Sequence, residues 1–333
     1  MNALVYLGPR RMELQEVSEP VPGPGEVVIE TAASAICGSD LHAFREASPR
    51  RIPPLIMGHE TVGTIADVGD GVDRARLGHR VVLRPVLPCG ACDACVAGRT
   101  NVCAEGRLVG REVTGGFAER FAVPERAAVD IRSDVPDDVA TSIEPLANAV
   151  HVTTRAVRPG DDVLVLGAGP IGALMARMSV ERGAERVVIT DKVPARLDLA
   201  RAQGAWPLDA GTADDELDRV ADGRGFSVVI DAVGVDATWS RAIASVRPGG
   251  RIEMVGLGAP TVAVDAFGVI GKEVAITGSY AWVDDDFAAA VRMIESGTVD
   301  TTGWFTSSTF EDGQRAFEEL VDTTNWFKIV LRP

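Results

Sequence analysis

Asp162-Val-Leu-Val-Leu-Gly167-Ala-Gly169-Pro170-Ile171-Gly172 is a short apolar run broken by three glycines, and a helical stretch follows from Pro170 to about Arg182. A strand that ends in Gly-x-Gly-x-x-Gly and opens a helix uses its glycines for a tight turn, close backbone approach to a pyrophosphate and helix packing. The helix N-terminus favours the anion. Arg186-Val-Val-Ile-Thr190 reads as the next strand, and Asp191 follows 19 residues after Gly172. A carboxylate there can accept hydrogen bonds from ribose hydroxyls. It also repels a 2'-phosphate, which favours NAD over NADP, although Lys192 beside it softens that discrimination.

Downstream, Ser227-Val-Val-Ile230 and Arg251-Ile-Glu-Met-Val255 read as further strands, each followed by a glycine-containing turn. Strands alternating with helices imply an α/β, doubly wound parallel sheet over about 151–280. Residues 1 to about 150 have another character: Glu26-Val-Val-Ile-Glu30, Thr61-Val-Gly-Thr-Ile65 and Arg80-Val-Val-Leu83 are short runs separated by Gly and Pro. That pattern fits an irregular β-rich domain. At the join, Pro145 suits the first turn of a helix, which puts Glu144 near its N-cap and Asn148 one turn on. The segment 281–333 reads as more helix and strand that returns to the first domain. Its Asp284-Asp-Asp286 run reads as a solvated helix start.

At 333 residues, 46% hydrophobic and 24% charged, the chain is long enough for two cores. No apolar run reaches the roughly 18 to 20 residues of a membrane span, and the N-terminus lacks a secretory pattern. We therefore expect a cytoplasmic protein. A net charge of -15 argues against nucleic acid and anionic membrane as partners.

Five cysteines fall into two groups. Cys89, Cys92, Cys95 and Cys103 form a tight run, and in a reducing compartment such spacing points to zinc rather than disulfides. Four thiolates close a tetrahedral zinc site, so this one is structural. Cys37, in Ile-Cys37-Gly-Ser39-Asp40-Leu-His42, stands alone upstream of Gly58-His59-Glu60. It reads as one ligand of an open centre, which has three protein ligands and a position for water or substrate. No sixth cysteine exists, so a carboxylate completes that set, and Glu60 and Glu144 are both candidates. His79 and His151 have no such context and read as structural or surface residues.

Taken together, Cys37-Gly-Ser-Asp-Leu-His42, Gly58-His59-Glu60, the Cys89–Cys103 lobe, Gly115-Gly-Phe-Ala-Glu119, Glu144-Pro145 and the glycine fingerprint resemble the zinc-dependent medium-chain dehydrogenases. The resemblance runs over essentially the whole chain. It implies a GroES-like catalytic domain, a Rossmann domain, two zinc ions per chain (one catalytic, one structural) and NAD. It also implies a homodimer or homotetramer and a small-molecule alcohol or ketone substrate.

By that resemblance Ser39 and His42 form a proton relay, and Asp40 orients His59. Arg196, Val255-Gly256-Leu257, Ser279 and Asn148 join Gly167, Gly169, Pro170, Ile171, Gly172 and Asp191 in contacting the cofactor. Glu144, where ethanol-type enzymes carry cysteine, is similar to the polyol and threonine dehydrogenase branches. The implied substrate is a polyol, sugar, cyclitol or aminocyclitol. L-Threonine and simple alcohols are the alternatives, and a zinc-stabilised nucleotide-binding protein without catalysis is the rival of another class.

Overall fold

The computed structural model describes residues 1–211, 213–323 and 327–333. The chain divides into two units, Met1–Glu144 with Val283–Pro333, and Pro145–Trp282.

In the second unit six strands are all parallel, in the spatial order Trp206–Asp209, Arg186–Asp191, Asp162–Leu166, Phe226–Asp231, Val246–Met254 and Ala275–Gly278. By sequence this is 3-2-1-4-5-6, the doubly wound order, and its switch point lies beside Asp162–Leu166. Val163, Leu164, Val165 and Leu166 are all buried, as befits a central parallel strand covered on both faces. Helices Pro170–Glu181, Pro194–Ala202 and Asp236–Ser245 supply cover. Leu164, Leu166, Val188, Val229, Trp239 and Ile252 share one core. A fully buried side chain of this kind contributes about 1.5–3 kcal/mol, so this packing outweighs any single surface contact.

One strand departs from its sequence reading. Val246–Met254 begins five residues before Arg251, because Val246 pairs with Phe226 before the register shifts and Arg251 pairs with Val228. The Arg247-Pro-Gly-Gly250 segment lies outside the strand read from the sequence. In the fold it is the irregular stretch of a longer strand.

The first unit is built on a seven-stranded sheet whose main path runs Ala128–Asp130, Arg80–Leu83, Glu60–Val68, Glu26–Ala35, Lys328–Arg332, Phe305–Thr309, with Arg120–Pro124 also on Glu26–Ala35. Register makes this sheet a site builder. Ala35 pairs antiparallel with both Glu60 and Val330, and Ile36 N–H donates to Ile329 O at 2.9 Å. Continuing both ladders brings Cys37, His59 and Lys328 to the same end of the sheet as Glu60. Val86–Leu87 pairs with Arg107–Leu108, so the four-cysteine segment forms the tip of a two-stranded ribbon.

The helix at the join spans Ile143–Ala156, with Glu144 and Pro145 in its first turn as read. One further local detail differs from expectation. In the helix Asp284–Glu295, Asp286 is buried and its carboxylate accepts from Val283 N at 3.1 Å, while Asp284 pairs with Arg84 at 2.9 Å. Those two acidic residues are fixed by partners, which the charge run alone does not reveal. The segment 281–333 contains helix and strand as read, with residues 324–326 outside the described residues. Among the described residues no helix is long and apolar enough to cross a membrane.

Candidate metal centres and nucleotide site

The four-cysteine tip is shaped like a zinc site. Sγ of Cys92 lies 3.5 Å from that of Cys95 and 3.8 Å from that of Cys103, and Cys89 Sγ lies 3.9 Å from Cys95 Sγ. A tetrahedron with Zn–S bonds of about 2.3 Å has edges of roughly 3.8 Å. Cys89 N–H donates to Cys103 Sγ at 3.3 Å and Cys92 N–H to Cys89 Sγ at 3.4 Å, contacts that favour thiolate. The backbone N–H of Cys95, together with neighbouring thiols, pulls Cys92 down to about 6, whereas burial pushes Cys95 up to about 12. Four thiolates at this spacing need a cation among them, and all four positions are then filled.

The second group, Cys37, His59 and Glu60, has its ligand atoms within 4.8 Å of one another. Cys37 is the N-cap of the helix Gly38–Arg45, whose positive end favours a thiolate. Gly58, at φ +96°, is required just before His59, because a Cβ there would stand 2.7 Å from Phe117. His59 Nδ1 faces Asp40 Oδ1 at 3.7 Å, which leaves Nε2 toward Cys37. Asp40 is wholly buried, and its Oδ2 accepts from Cys37 N–H at 3.0 Å. Burial alone presses the His59 pKa down, but the charges of Asp40, Cys37 and Glu144 outweigh it and lift it to about 10. A metal entering here must therefore displace a proton.

Glu144 is buried and acts electrostatically on both His59 and Lys328, but it is not one of the close trio. Two cations missed in the sequence complete the centre. Lys328, 5% exposed, meets Glu60 Oε2 at 2.6 Å. Arg51, 4% exposed, lies 3.0 Å from Asp40 Oδ1 and donates to Ser39 Oγ at 2.8 Å. His42 lies half-buried in the last turn of the same helix, and burial and Arg45 hold it below the ordinary 6.5.

The nucleotide fingerprint sits in the second unit. Gly167 has φ +96°, and a Cβ on Gly172 would meet Gly167 O at 1.8 Å, so neither position accepts a side chain without moving the loop. Gly169 is the N-cap of Pro170–Glu181, and a Cβ there would meet nothing within 4 Å, the open cradle a pyrophosphate fills. Asp191 is fixed by two donors, Ala168 N–H at 2.7 Å and Val193 N–H at 2.9 Å, with Arg196 Nη1 3.9 Å away. Its carboxylate thus ties the glycine loop to the end of the second strand. Lys192 and Leu257 are exposed, while Ile171, Asn148, Val255 and Gly256 are half-buried. Ser279 Oγ donates to buried Glu253 at 3.1 Å.

His79 lies on the surface 3.3 Å from Asp130, and His151 is buried beside Arg155 at 3.2 Å.

A doubly wound sheet with this loop, in a chain that also carries a closed thiolate centre and an open Cys-His-Glu centre, defines a metal-dependent dehydrogenase. Residues 23–133 match the alcohol dehydrogenase GroES-like domain and residues 170–296 the zinc-binding dehydrogenase domain. The chain is 37% identical over 288 residues to an L-threonine 3-dehydrogenase of Saccharopolyspora erythraea, with 84% of each chain covered. A structure described as a short chain alcohol dehydrogenase of Escherichia coli CFT073, complexed with NADH, superposes with TM-score 0.92 at 30% identity, covering 100% of this chain and 99% of that one. L-Idonate 5-dehydrogenase of Escherichia coli K-12 gives TM-score 0.92 at 26% identity, covering 100% and 98%. The chain belongs to the zinc-dependent medium-chain dehydrogenases of the alcohol dehydrogenase superfamily. It is an oxidoreductase of alcohols that uses zinc and a nicotinamide dinucleotide.

Proposed function

We propose that this enzyme oxidises a neutral secondary alcohol with a neighbouring hydroxyl, such as a polyol or cyclitol, with NAD as acceptor. The observation that carries the substrate class is the pairing of both buried cations of the open centre: Lys328 with Glu60 and Arg51 with Asp40. A neutral diol needs no counter-charge. The carboxylate of an amino acid does, and these two cations already face carboxylates. L-Threonine is the second reading, favoured by the 37% identity to threonine 3-dehydrogenase. NADH absorbance with sorbitol, myo-inositol, 2,3-butanediol, L-idonate and L-threonine separates them; turnover confined to the two carboxylates, L-threonine and L-idonate, overturns the neutral-substrate reading.

In this reading Cys37, His59 and Glu60 hold the catalytic zinc, and Glu144 adds charge. Cys89, Cys92, Cys95 and Cys103 hold the structural one. Bound zinc supplies Lewis acidity that acidifies the substrate hydroxyl, and NAD supplies the hydride acceptor. Asp40 holds the His59 ring in place. Ser39 accepts the substrate proton at Oγ, and His42 passes it outward. The fingerprint glycines Gly167, Gly169 and Gly172 cradle the pyrophosphate, and Asp191 holds the adenosine ribose.

Because the His42 pKa is depressed, its neutral, proton-accepting form is present at neutral pH and is lost only as pH falls through a value below 6.5. The acid limb of kcat/KM for oxidation is therefore expected below pH 6.5. His42→Gln is expected to lower kcat/KM about 10²-fold and remove that limb. An unchanged limb in the variant assigns the proton to another group.

A homodimer is the proposed assembly, through the second unit. Ala275–Gly278 is the edge strand of its sheet, and Phe267, Ile270, Leu257 and Tyr280 nearby are 89%, 73%, 62% and 45% exposed. Such an apolar edge is a pairing surface, and a second copy can meet it across a twofold axis. Sedimentation velocity is expected to show a dimer that Phe267→Asp with Ile270→Asp converts to monomer. A dimer indifferent to both substitutions places the interface elsewhere.

A further inference from the structure

We propose that Arg51 is a positioning residue for proton transfer, setting the orientation of the Ser39 hydroxyl through a fork that also grips the scaffold. Its guanidinium has three partners: Nη1 donates to Gly110 O at 2.6 Å, Nη2 donates to Ser39 Oγ at 2.8 Å, and Nη2 lies 3.0 Å from Asp40 Oδ1. The residue comes from the segment between the helix Gly38–Arg45 and the strand Leu55–Ile56, and is 4% exposed. It does not touch substrate, and acts through Ser39.

A serine hydroxyl has one proton to donate and two lone pairs to accept with. Arg51 Nη2 occupies one lone pair, so the hydroxyl proton turns away from the guanidinium and one lone pair stays open. Those are the two functions a relay hydroxyl needs: the open lone pair takes the incoming proton while the hydroxyl's own proton leaves. Without Arg51, Ser39 can rotate its proton toward a backbone carbonyl or water and present no defined acceptor.

Asp40 lies beside the same Nη2, which keeps the arginine from imposing an uncompensated positive charge on the transfer. Arg51 thus joins Ser39, in the proton path, to Asp40, which faces His59. Lysine cannot replace the fork. Gly110 O and Ser39 Oγ are reached from different nitrogens of one rigid plane, and an ammonium offers a single point of donation.

This inference rests on reading Ser39 as the first proton acceptor, and a double-mutant cycle separates the two. Arg51→Lys, Ser39→Ala and the double variant are assayed with zinc and NAD on the fastest of sorbitol, myo-inositol, 2,3-butanediol, L-idonate and L-threonine. Arg51→Lys keeps a cation beside Asp40. It is expected to lower kcat about tenfold while KM moves less than about twofold, a coupling of the size contacting residues show. Zinc content by atomic absorption is expected to match the parent enzyme. In the Ser39→Ala background the same substitution should change kcat less than about twofold.

Equal losses in both backgrounds, or a fall in zinc content that accounts for the lost activity, overturn the positioning role and leave the relay intact. Ser39→Ala with parental kcat overturns the relay and the positioning role together. Independently of any variant, a crystal structure of the NADH complex should keep Arg51 Nη2 within hydrogen-bond distance of Ser39 Oγ. A Ser39 hydroxyl turned to another partner overturns the inference.

Discussion

Cys37→Ala is expected to lower alcohol oxidation by roughly 10³-fold or more and to halve the zinc content while the fold survives. The size follows from Lewis acidity, which contributes several kcal/mol at the transition state, each 1.36 kcal/mol being about tenfold in rate. The separation of activity from folding follows from geometry. Cys37 caps the short helix Gly38–Arg45 at the end of the sheet, whereas Cys89, Cys92, Cys95 and Cys103 close their own centre on a separate ribbon. Removing the Cys37 thiol empties one centre and leaves the other intact. Atomic absorption and circular dichroism, with the NADH assay, check all three parts. A variant that keeps both zinc ions, or keeps its activity, removes Cys37 from the chemistry.

Lys328→Met is the second large effect, on stability. Glu60 and Lys328 are 1% and 5% exposed and paired at 2.6 Å, so the substitution leaves a buried carboxylate without its cation. Breaking a buried pair this way costs about 3–5 kcal/mol. Burial opposes the charge on Lys328, but Glu60, Cys37 and Glu144 outweigh it and raise its pKa, so the ammonium is the form that stands there. The loss should be largest in zinc-free protein, because a bound divalent cation supplies charge to the same carboxylates. Adding Glu60→Gln should recover part of it in zinc-free protein. Urea unfolding of both zinc states measures this, and a loss below about 1 kcal/mol in zinc-free protein contradicts a buried, mutually dependent pair.

Local signals in the sequence predicted most of the fold. The strand Arg80–Leu83 and the start of the helix at Pro170 are legible because apolar runs end at Gly or Pro, and those residues fix the backbone where they stand. The thiolate lobe is legible because its four ligands lie within 15 residues, so spacing alone nearly determines geometry. Arg51 and Lys328 were invisible for the opposite reason. Lys328 reaches Glu60 only through the antiparallel register of Lys328–Arg332 on Glu26–Ala35, and Arg51 reaches Ser39 and Gly110 through a loop with no periodicity. Neither position has a sequence signal of its own. The sequence also left Glu60 and Glu144 unranked. In the structure Glu60 joins Cys37 and His59 within 4.8 Å, and Glu144 adds its charge to His59 and Lys328.

Anomalous diffraction at the zinc edge, from crystals of the zinc-loaded protein, should reveal two zinc ions in one chain in different chemical surroundings, one closed by thiolates and one open to substrate. Two peaks per chain are predicted, one enclosed by the sulfurs of Cys89, Cys92, Cys95 and Cys103 and one bonded to Cys37 and His59 with a carboxylate as third protein ligand. A single peak in the four-cysteine lobe, with Cys37 and His59 unligated, contradicts the account.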